Sequence, residues 1–403
     1  MNKLLCPCPP TITRTGTQRV RSVHNLSDWQ LTTFDEAREF STQWPQPDRA
    51  DDFWLRPTTL SFLSAHPQGM TTEAVQLQHT PSGRSLRLTV QTFTFHLGTQ
   101  VSDSAKGDTS RWDIRRRLLA PFSSKVLTIG QLLTSGNLAQ DGTDAIPDAE
   151  LARLLVATAG TLCAERSGYR AILIKDICAA GSPAARDLVR RGFTSLPVDP
   201  VMVLDTSQWK NMEDYLESLS SKYRIRYRRA RSKGQGISRR RIDGSEALVR
   251  RDRLYALYRE TSSGASFNLT TLTPAYFDWL IGVGEVYGYY SEDGTMVGFT
   301  SAIANGPVYQ AHYLGLMEAY KYSHHLYHNM LYDLLEDALR GGYRELDYGR
   351  TALEIKSSLG AEPRYFATQL QLRSPVLNPL VPHFVPAVFA HREWVRRRPF
   401  RRE

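Results

Sequence analysis

The stretch of sequence that decides the fold is Glu345-Leu346-Asp347-Tyr348-Gly349-Arg350. Its alternation of apolar and polar residues predicts a short strand, and the glycine allows the chain to leave that strand sharply. Residues 351–359 then favour a short helix that ends at a further glycine. Arg350 and Lys356 are therefore expected together at the carboxyl end of a strand, where α/β sheets usually bind ligands. Two surface cations on a connecting helix would give the same pattern, so the stretch alone leaves a structural role open.

Tyr348-Gly349-Arg350, Lys356 and Leu359-Gly360-Ala361 together resemble the closing signature of the FemAB-like acyltransferases. These are tandem-domain relatives of the GNAT N-acetyltransferases, and some of them transfer amino acids from aminoacyl-tRNA to peptidoglycan precursors. The basic segment 221–230 and the segment 274–280 (Pro-Ala-Tyr-Phe-Asp-Trp-Leu) also agree with the family. The resemblance covers roughly residues 210–375. The first half resembles the family only in its order of elements.

The resemblance implies an α+β fold with two tandem GNAT-like domains, each a mixed, mainly antiparallel sheet flanked by helices. It also implies an N-acyltransferase, with Lys356 and Arg350 in the substrate-binding site. The division that we predict is a flexible basic N-terminal tail (1–45), an N-terminal domain (46–208), a C-terminal domain with the active cleft (209–374) and a Pro/Arg-rich tail (375–403).

Hydrophobic periodicity indicates the same order of elements in both halves. The second half predicts strands at 237–242, 286–291, 296–304 and 308–316, helices at 246–261 and 274–283, a long helix capped by Ser323, and strands at 344–348 and 366–372. The first half predicts strand–helix–strand–helix–strand between residues 125 and 204. A polar loop is expected at 98–110.

The positive charge of the chain is concentrated in two segments. Of the formal net charge of +9, residues 222–241 contribute +10 and residues 391–403 contribute +4, so the rest of the 403 residues sums to −5. Such local basicity indicates that these segments bind particular anionic partners, rather than that the whole protein coats nucleic acid. Candidate partners are tRNA for residues 222–241 and an anionic membrane surface for the C-terminal tail. Neutralisation by acids of the other domain, and a disordered solubilising tail, are the structural alternatives.

Four scattered cysteines argue against a disulfide framework, and Cys6-Pro7-Cys8 lacks the second ligand pair of a zinc site. We therefore expect no metal and a reduced, cytoplasmic location. No apolar run reaches the ~18 residues that a membrane span requires. The acid-free segment 1–27 is similar to an organelle transit peptide, but a disordered basic tail is the favoured interpretation.

Acyl transfer to an amine requires a donor carbonyl beside the amine, polarisation of the carbonyl oxygen and removal of one proton. In a GNAT sheet two central strands splay apart and hold the acyl arm in the gap, and here these strands are predicted at 310–316 and 344–348. The candidate catalytic residues on them are His312, Tyr313, Asp347 and Tyr348. Tyr348 could donate to the oxyanion or leaving group, and Asp347 or His312 could accept the proton. On a regular strand neither pair of neighbours can face one pocket, and roles in the core are the alternative for each residue.

Lys321, Ser323 and His324, at the expected start of the long helix, are the candidate residues for the phosphates of coenzyme A. The glycine-rich loop of GNAT enzymes is absent, because residues 316–322 read Leu-Met-Glu-Ala-Tyr-Lys-Tyr, a departure that is itself FemAB-like. Of the two candidate donors, acyl-CoA is slightly favoured over aminoacyl-tRNA as the co-substrate. No permanently bound cofactor is expected. The acceptor would be an amine-bearing small molecule or a cell-wall or lipid precursor. A catalytically silent protein that binds such molecules is the alternative class.

Overall fold

This computed structural model describes residues 23–46, 52–96, 123–263, 271–388 and 393–401. The expectations for Cys6-Pro7-Cys8, for the basic segment before residue 23 and for the polar loop at 98–110 lie outside the described residues.

The described residues form sixteen strands, numbered here along the chain. They are β1 Val23–Leu26, β2 Trp29–Phe34, β3 Met70–His79, β4 Ser85–His96, β5 Ser123–Ile129, β6 Gln140–Asp141, β7 Tyr169–Ala179, β8 Thr194–Ser195, β9 Val201–Asp205, β10 Ser238–Ile242, β11 Glu285–Tyr290, β12 Met296–Asn305, β13 Val308–Leu316, β14 Glu345–Asp347, β15 Glu362–Arg364 and β16 Phe366–Leu372. The predictions for β13 and β16 are correct to the residue.

The α-helices of the described residues are numbered in the same way. They are α1 Ala37–Thr42, α2 Pro57–Ala65, α3 Asp148–Glu165, α4 Pro183–Arg190, α5 Met212–Ser218, α6 Ser221–Lys233, α7 Ala247–Ser263, α8 Pro274–Val283, α9 Glu318–Ser323, α10 Leu326–Arg340, α11 Leu353–Ser357 and α12 Val381–Val388. The described helices include none with the length and apolar character needed to cross a bilayer.

The strands build two mixed, mainly antiparallel sheets. The first has the order β1-β2-β3-β4-β5-β7-β16-β8, with β6 beside β4, and the second has the order β10-β11-β12-β13-β14-β9-β15. Among the described strands, the parallel pairs are β5–β7 and β13–β14. Each parallel pair is joined by a crossover that contains a long helix, α3 or α10, as parallel pairing requires. The predicted repeat of the element order is therefore present in the structure.

The two sheets exchange strands. β9, the last strand of the first half in sequence, pairs with β14 and β15 of the second sheet, whereas β16 of the second half pairs with β7 and β8 of the first. The predicted boundaries at residues 208 and 374 therefore do not separate the two sheets. Four of the five residues of β9 are buried, so its apolar pattern fits the interior of either sheet and does not specify a partner.

The prediction of a flexible tail to residue 45 is wrong for residues 23–45. β1 and β2 form the edge of the first sheet, and Trp29, Leu31 and Phe34 are almost completely buried there. Burial of three such side chains stabilises the fold by roughly 5–9 kcal/mol in transfer free energy. This apolar gain explains why the segment is part of the first domain despite its polar flanks.

One apolar cluster joins the two halves. It contains Phe53, Trp54 and Leu63 of the first half together with Tyr276 and Phe277 of the second. Two hydrogen bonds reinforce this contact: the Trp54 indole N–H donates to Gln310 Oε1 at 3.0 Å, and the Phe53 backbone N–H donates to Asn305 Oδ1 at 2.9 Å. The halves therefore share a packed interface around one end of β13.

Candidate active site

The strands β13 and β14 diverge after a short paired region. They pair only through Val308, Tyr309 and Gln310 on β13 and Glu345, Leu346 and Asp347 on β14. β13 then continues for six further residues, while the chain after Asp347 stays with β9 through a hydrogen bond from the Tyr348 N–H to the Met202 carbonyl at 2.9 Å. The predicted wedge between the two segments is therefore present, with its apex at Gln310 and Asp347.

A β-bulge reshapes β13 at the mouth of this wedge. The register between β12 and β13 shifts so that His312 and Tyr313 stand opposite Ser301 alone. Ser301 Oγ accepts from the Tyr313 N–H at 3.0 Å and donates to the Tyr313 carbonyl at 2.7 Å. Both rings lie near the ring of Tyr276, at centroid distances of 5.9 and 6.0 Å. The expectation that neighbours on a regular strand face opposite sides thus does not apply, and His312 and Tyr313 both pack beside Tyr276.

His312 lies between the two halves of the molecule. Its Nε2 is hydrogen-bonded to the Tyr276 hydroxyl at 2.6 Å, and its ring is 5.2 Å from that of Trp54. Burial lowers the pKa of His312 to about 3, because the aromatic surroundings disfavour a charged imidazole. The residue is therefore a neutral hydrogen-bonding group near pH 7. Such a low pKa makes it a weak proton acceptor.

Acidification should destabilise the protein in part through His312. A histidine whose folded pKa lies below its unfolded value of 6.5 stabilises the fold above pH 6.5 and loses that contribution as the pH falls toward 3. Between pH 6.5 and pH 5, wild type should lose about 2 kcal/mol more free energy of unfolding than His312→Gln, which keeps an acceptor for Tyr276. Urea denaturation at several pH values measures this difference. Equal losses for the two proteins would contradict it.

Asp347 and Lys356 are both buried beside the loop 348–350. Asp347 Oδ1 accepts the Gly349 N–H at 2.6 Å, and the Lys356 ammonium donates to the carbonyls of Gly349, at 3.3 Å, and Arg350. Burial raises the pKa of Asp347 to about 6, against the opposing effects of the Gly349 hydrogen bond and the Lys356 charge. Burial lowers the pKa of Lys356 to about 7, against the charge of Asp347. Both groups thus titrate close to neutrality, as groups that transfer protons often do.

Lys356 is not a surface cation, the alternative that the sequence left open, because only 4% of its surface is accessible and its ammonium is held by main-chain carbonyls. Its visible role is to fix the loop that carries Arg350. Thr351 and Ala352, with φ values of 66° and 49°, give that loop an unusual backbone that the buried ammonium helps to hold. A substrate-binding role for Lys356 stays a prediction.

Arg350 reaches across to the first half of the molecule. Its guanidinium donates to Asp176 Oδ1 at 2.7 Å, and the other oxygen of Asp176 accepts from Lys175 Nζ at 2.8 Å and from the Gly136 N–H at 3.0 Å. Burial works against ionisation of Asp176, but the charges of Lys175 and Arg350 hold its pKa below the usual value. Arg350 Nε remains buried without a hydrogen-bond partner. The arginine of the signature is thus oriented by a carboxylate of the other half.

Tyr348 does not line the wedge. Its hydroxyl donates to the Leu331 carbonyl of α10 at 2.9 Å, and burial raises its pKa far above the ordinary value. The side chain belongs to the core between α10 and the second sheet. The core alternative is therefore the better description of Tyr348, since its only donor proton is already in use.

Lys321, Ser323 and His324 do not form a helix N-terminus. Lys321 and Ser323 lie in the last turn of α9 and His324 directly follows it, and the Ser323 hydroxyl donates to the Ala319 carbonyl at 2.6 Å. α10 begins only at Leu326, after His325 in a left-handed conformation with φ of 48°. The prediction that Ser323 caps the long helix is therefore wrong. Lys321 is paired with Glu318 at 3.1 Å on the surface, and phosphate binding by this trio stays a prediction.

The basic segment 222–241 is neutralised only in part. Arg231 pairs with Asp333, and Arg239 pairs with Asp337, so acids of α10 in the same domain supply the counter-charges rather than acids of the other domain. Other cations of the segment remain exposed: Lys222, Arg226, Arg228, Arg229, Lys233, Arg240 and Arg241. The charges of Lys233 and Arg229 act on His325, and that of Arg226 acts on His328, at the start of α10. A cationic surface thus surrounds the first turn of α10.

The end of the chain packs against the body within residues 393–401. Phe400 lies 5.3 Å from the ring of Trp209 and pairs with Leu219 as an isolated bridge. Arg397 donates to Glu354 Oε2 at 2.9 Å. The interpretation of this tail as a disordered end is therefore wrong for the described residues.

Three residues of the site were missed from the sequence. Tyr276 stands in the quoted segment 274–280, which carried no assigned role, and its position at a helix N-terminus gave no sign of a contact with His312. Trp54 and Asp176 belong to the first half, where no motif was recognised. Asp176 did carry a local signal, a charged pair with Lys175 in the middle of an apolar strand.

Residues 220–362 match the acetyltransferase (GNAT) domain family. Among solved structures, the crystal structure of FemX aligns with a TM-score of 0.51 at 12% identity and covers 86% of this chain and 98% of that chain. The C-terminal domain of a putative lysylphosphatidylglycerol synthetase from Agrobacterium fabrum aligns with a TM-score of 0.44 at 12% identity, covering 87% and 96%. No curated protein matches the sequence. The domain match and the FemX alignment confirm the expected α+β fold with GNAT-like domains.

Proposed function

Because the chain has a FemAB-like GNAT fold and carries an acyltransferase domain, we propose that it transfers an acyl group from acyl-CoA to an amine at the wedge between β13 and the loop 348–350. The observation that carries this proposal is the divergence of the two segments beyond Gln310 and Asp347. No described strand pairs with β13 on that side from Ala311 onward. An extended amide-containing arm can bind such an unpaired strand edge through main-chain hydrogen bonds.

The chemistry follows from the groups around the wedge. The neutral amine forms a C–N bond to the donor carbonyl carbon, the C–S bond breaks, and the sulfur leaves with the electron pair. The proton lost by the nitrogen passes to the Asp347 carboxylate, whose pKa of about 6 suits an acceptor near neutrality better than the pKa of about 3 of His312. The Tyr276–His312 pair and Tyr313 would orient the acyl group, and Arg350 would hold an anionic part of donor or acceptor.

The phosphates of the donor would bind the cationic surface around the first turn of α10. Arg229 and Lys233 are exposed, and after burial their charges are the further causes of the lowered pKa of His325. A bound anion would relieve this repulsion and would also meet the N-terminal end of α10. This surface replaces Lys321, Ser323 and His324 as the favoured location, because Lys321 already pairs with Glu318.

We expect Arg229→Ala/Lys233→Ala to raise the Kd for acyl-CoA about tenfold, because two phosphate-binding cations are lost. Isothermal titration at two salt concentrations measures the Kd, and the variant should show a smaller salt dependence. Lys321→Ala and Arg241→Ala are matched controls that each remove a single cation elsewhere. A larger effect from Lys321→Ala than from the double variant would restore the sequence-based phosphate site.

Titration of the protein with acetyl-CoA, longer acyl-CoAs and aminoacyl-tRNA tests the choice of donor, with the melting temperature and amide formation by mass spectrometry as readouts. A rise in melting temperature and turnover with a thioester support the proposal. Turnover with aminoacyl-tRNA alone would favour the second candidate, a Fem-type transferase acting on a cell-wall precursor, for which the exposed cations of α6 are the specific observation. Binding without turnover would favour a silent binding protein.

A cytoplasmic location stays a proposal, supported by the free thiols of Cys163 and Cys178.

A further inference from the structure

The loop between β16 and α12 carries an exposed apolar ledge. Val376, Leu377 and Leu380 are 75%, 53% and 44% exposed, although aliphatic side chains are normally buried when they cluster. Residues 374–382 contain three prolines and no charged residue. An apolar cluster of this kind is a candidate for an interaction surface.

The ledge is held rigidly against the first half of the molecule. Asn378 Oδ1 accepts the Leu372 N–H at 2.8 Å, and its Nδ2 donates to the Gly192 carbonyl at 2.9 Å. These contacts place the loop beside the end of α4, where Val189 is also exposed by 46%. We therefore define the ledge as Val189, Val376, Leu377 and Leu380.

Arginines border this ledge. Arg190, Arg191 and Arg373 are exposed, and of these Arg191 pairs with Asp187 at 2.8 Å. The Arg373 guanidinium contacts the Cys163 carbonyl at 3.5 Å and so stays on the side of α3. The sequence from 370 to 390 contains Arg373 and no acidic residue. The border is therefore cationic.

We propose that the ledge binds the surface of an anionic lipid bilayer. Aliphatic side chains would enter the acyl boundary while the arginines contact anionic headgroups. The prolines at 375, 379 and 382 have no N–H groups, so the loop brings fewer main-chain donors that would lose water at the bilayer. Four partly exposed aliphatic side chains give weak, reversible attachment rather than insertion. This inference does not depend on the acyl-transfer proposal.

Co-sedimentation of the full chain with phosphatidylcholine vesicles, with and without phosphatidylglycerol, tests this proposal. Wild type should bind the anionic vesicles, and Val376→Asp/Leu377→Asp should lower the partition coefficient about tenfold or more. Val249→Asp is the matched control, since Val249 is equally exposed on α7. Arg190→Gln should weaken binding by roughly fivefold and reduce its salt dependence, whereas Arg228→Gln on α6 should not.

Three outcomes would overturn the proposal. The first is equal binding of wild type and Val376→Asp/Leu377→Asp, and the second is binding that does not require phosphatidylglycerol. The third is a wild-type dimer in light scattering that becomes a monomer in the aspartate variant, which would make the ledge a contact between two copies of this chain. The substituted side chains are exposed, so circular dichroism should show an unchanged fold in each case.

Discussion

Asp347→Asn should lower kcat for acyl transfer by about 10²–10⁴-fold, the usual contribution of a positioned proton acceptor. The asparagine has nearly the same shape and can still accept the Gly349 N–H, so the loop should keep its conformation. What it loses is the carboxylate that receives the proton of the amine. Stopped assays of amide formation with saturating donor and acceptor measure kcat.

The pH dependence distinguishes this role from a structural one. The ionised carboxylate is the active form, so kcat/KM of wild type should fall about tenfold per pH unit below the pKa of about 6 and be level above it. Asp347→Asn should lack this acidic limb. Glu345→Gln, two residues earlier on β14 and paired with Arg364 at the surface, is the matched control and should keep full activity. An Asp347→Asn enzyme with wild-type kcat and an unchanged acidic limb would remove Asp347 from the reaction.

Asp176→Asn should reduce the free energy of unfolding by about 3–5 kcal/mol, because it leaves Lys175 and Arg350 without their common buried counter-charge. Asparagine tolerates the left-handed backbone of this position, where φ is 60°, so the loss would come from the charge and not from strain. Chemical denaturation at pH 7 gives the free energy. Asp187→Asn, which breaks a pair with the exposed Arg191, should cost no more than about 1 kcal/mol.

The same substitution should raise KM more than it lowers kcat, because Arg350 would lose its orientation while Asp347 stays intact. Lys175→Met/Asp176→Asn should recover part of the stability, since no unpaired ammonium is then buried. It should not recover KM, because Arg350 still lacks its partner. A loss below 1 kcal/mol for Asp176→Asn, or full recovery of KM in the double variant, would show that Arg350 does not depend on this carboxylate.

The elements that could be predicted from the sequence are those with strong local signals. β13 begins directly after the turn at Gly306-Pro307, and Pro375 lies shortly after the end of β16, so both strands have nearby boundary signals and their bounds were correct to the residue. The signature at 345–361 predicted the FemAB-like GNAT fold, and the wedge was predicted from that resemblance together with the order of elements. The sequence could not predict which sheet β9 joins. Its apolar pattern indicates only that the strand is buried, and a buried strand can belong to either sheet.

The side-chain geometry of the site depends on contacts that are distant in sequence. The bulge at His312 and Tyr313 is set by Ser301 on the neighbouring strand, and Lys356 is buried by a loop whose conformation no local pattern specifies. Ser323 looked like a helix cap because serine is a preferred N-cap residue and a helical apolar pattern follows it. The short helix α9 uses that serine for its own last turn instead.

The exchange of β9 and β16 has a consequence for how the chain is made. Synthesis runs from the amino end, so β7 leaves the ribosome with one edge unpaired. Nearly two hundred further residues must be synthesised before β16 can pair with that edge. During this interval the exposed edge is a template for aberrant pairing with other chains. We expect a fragment that stops near residue 210 to aggregate, and a fragment that begins there to lack the β9 strand that flanks Asp347.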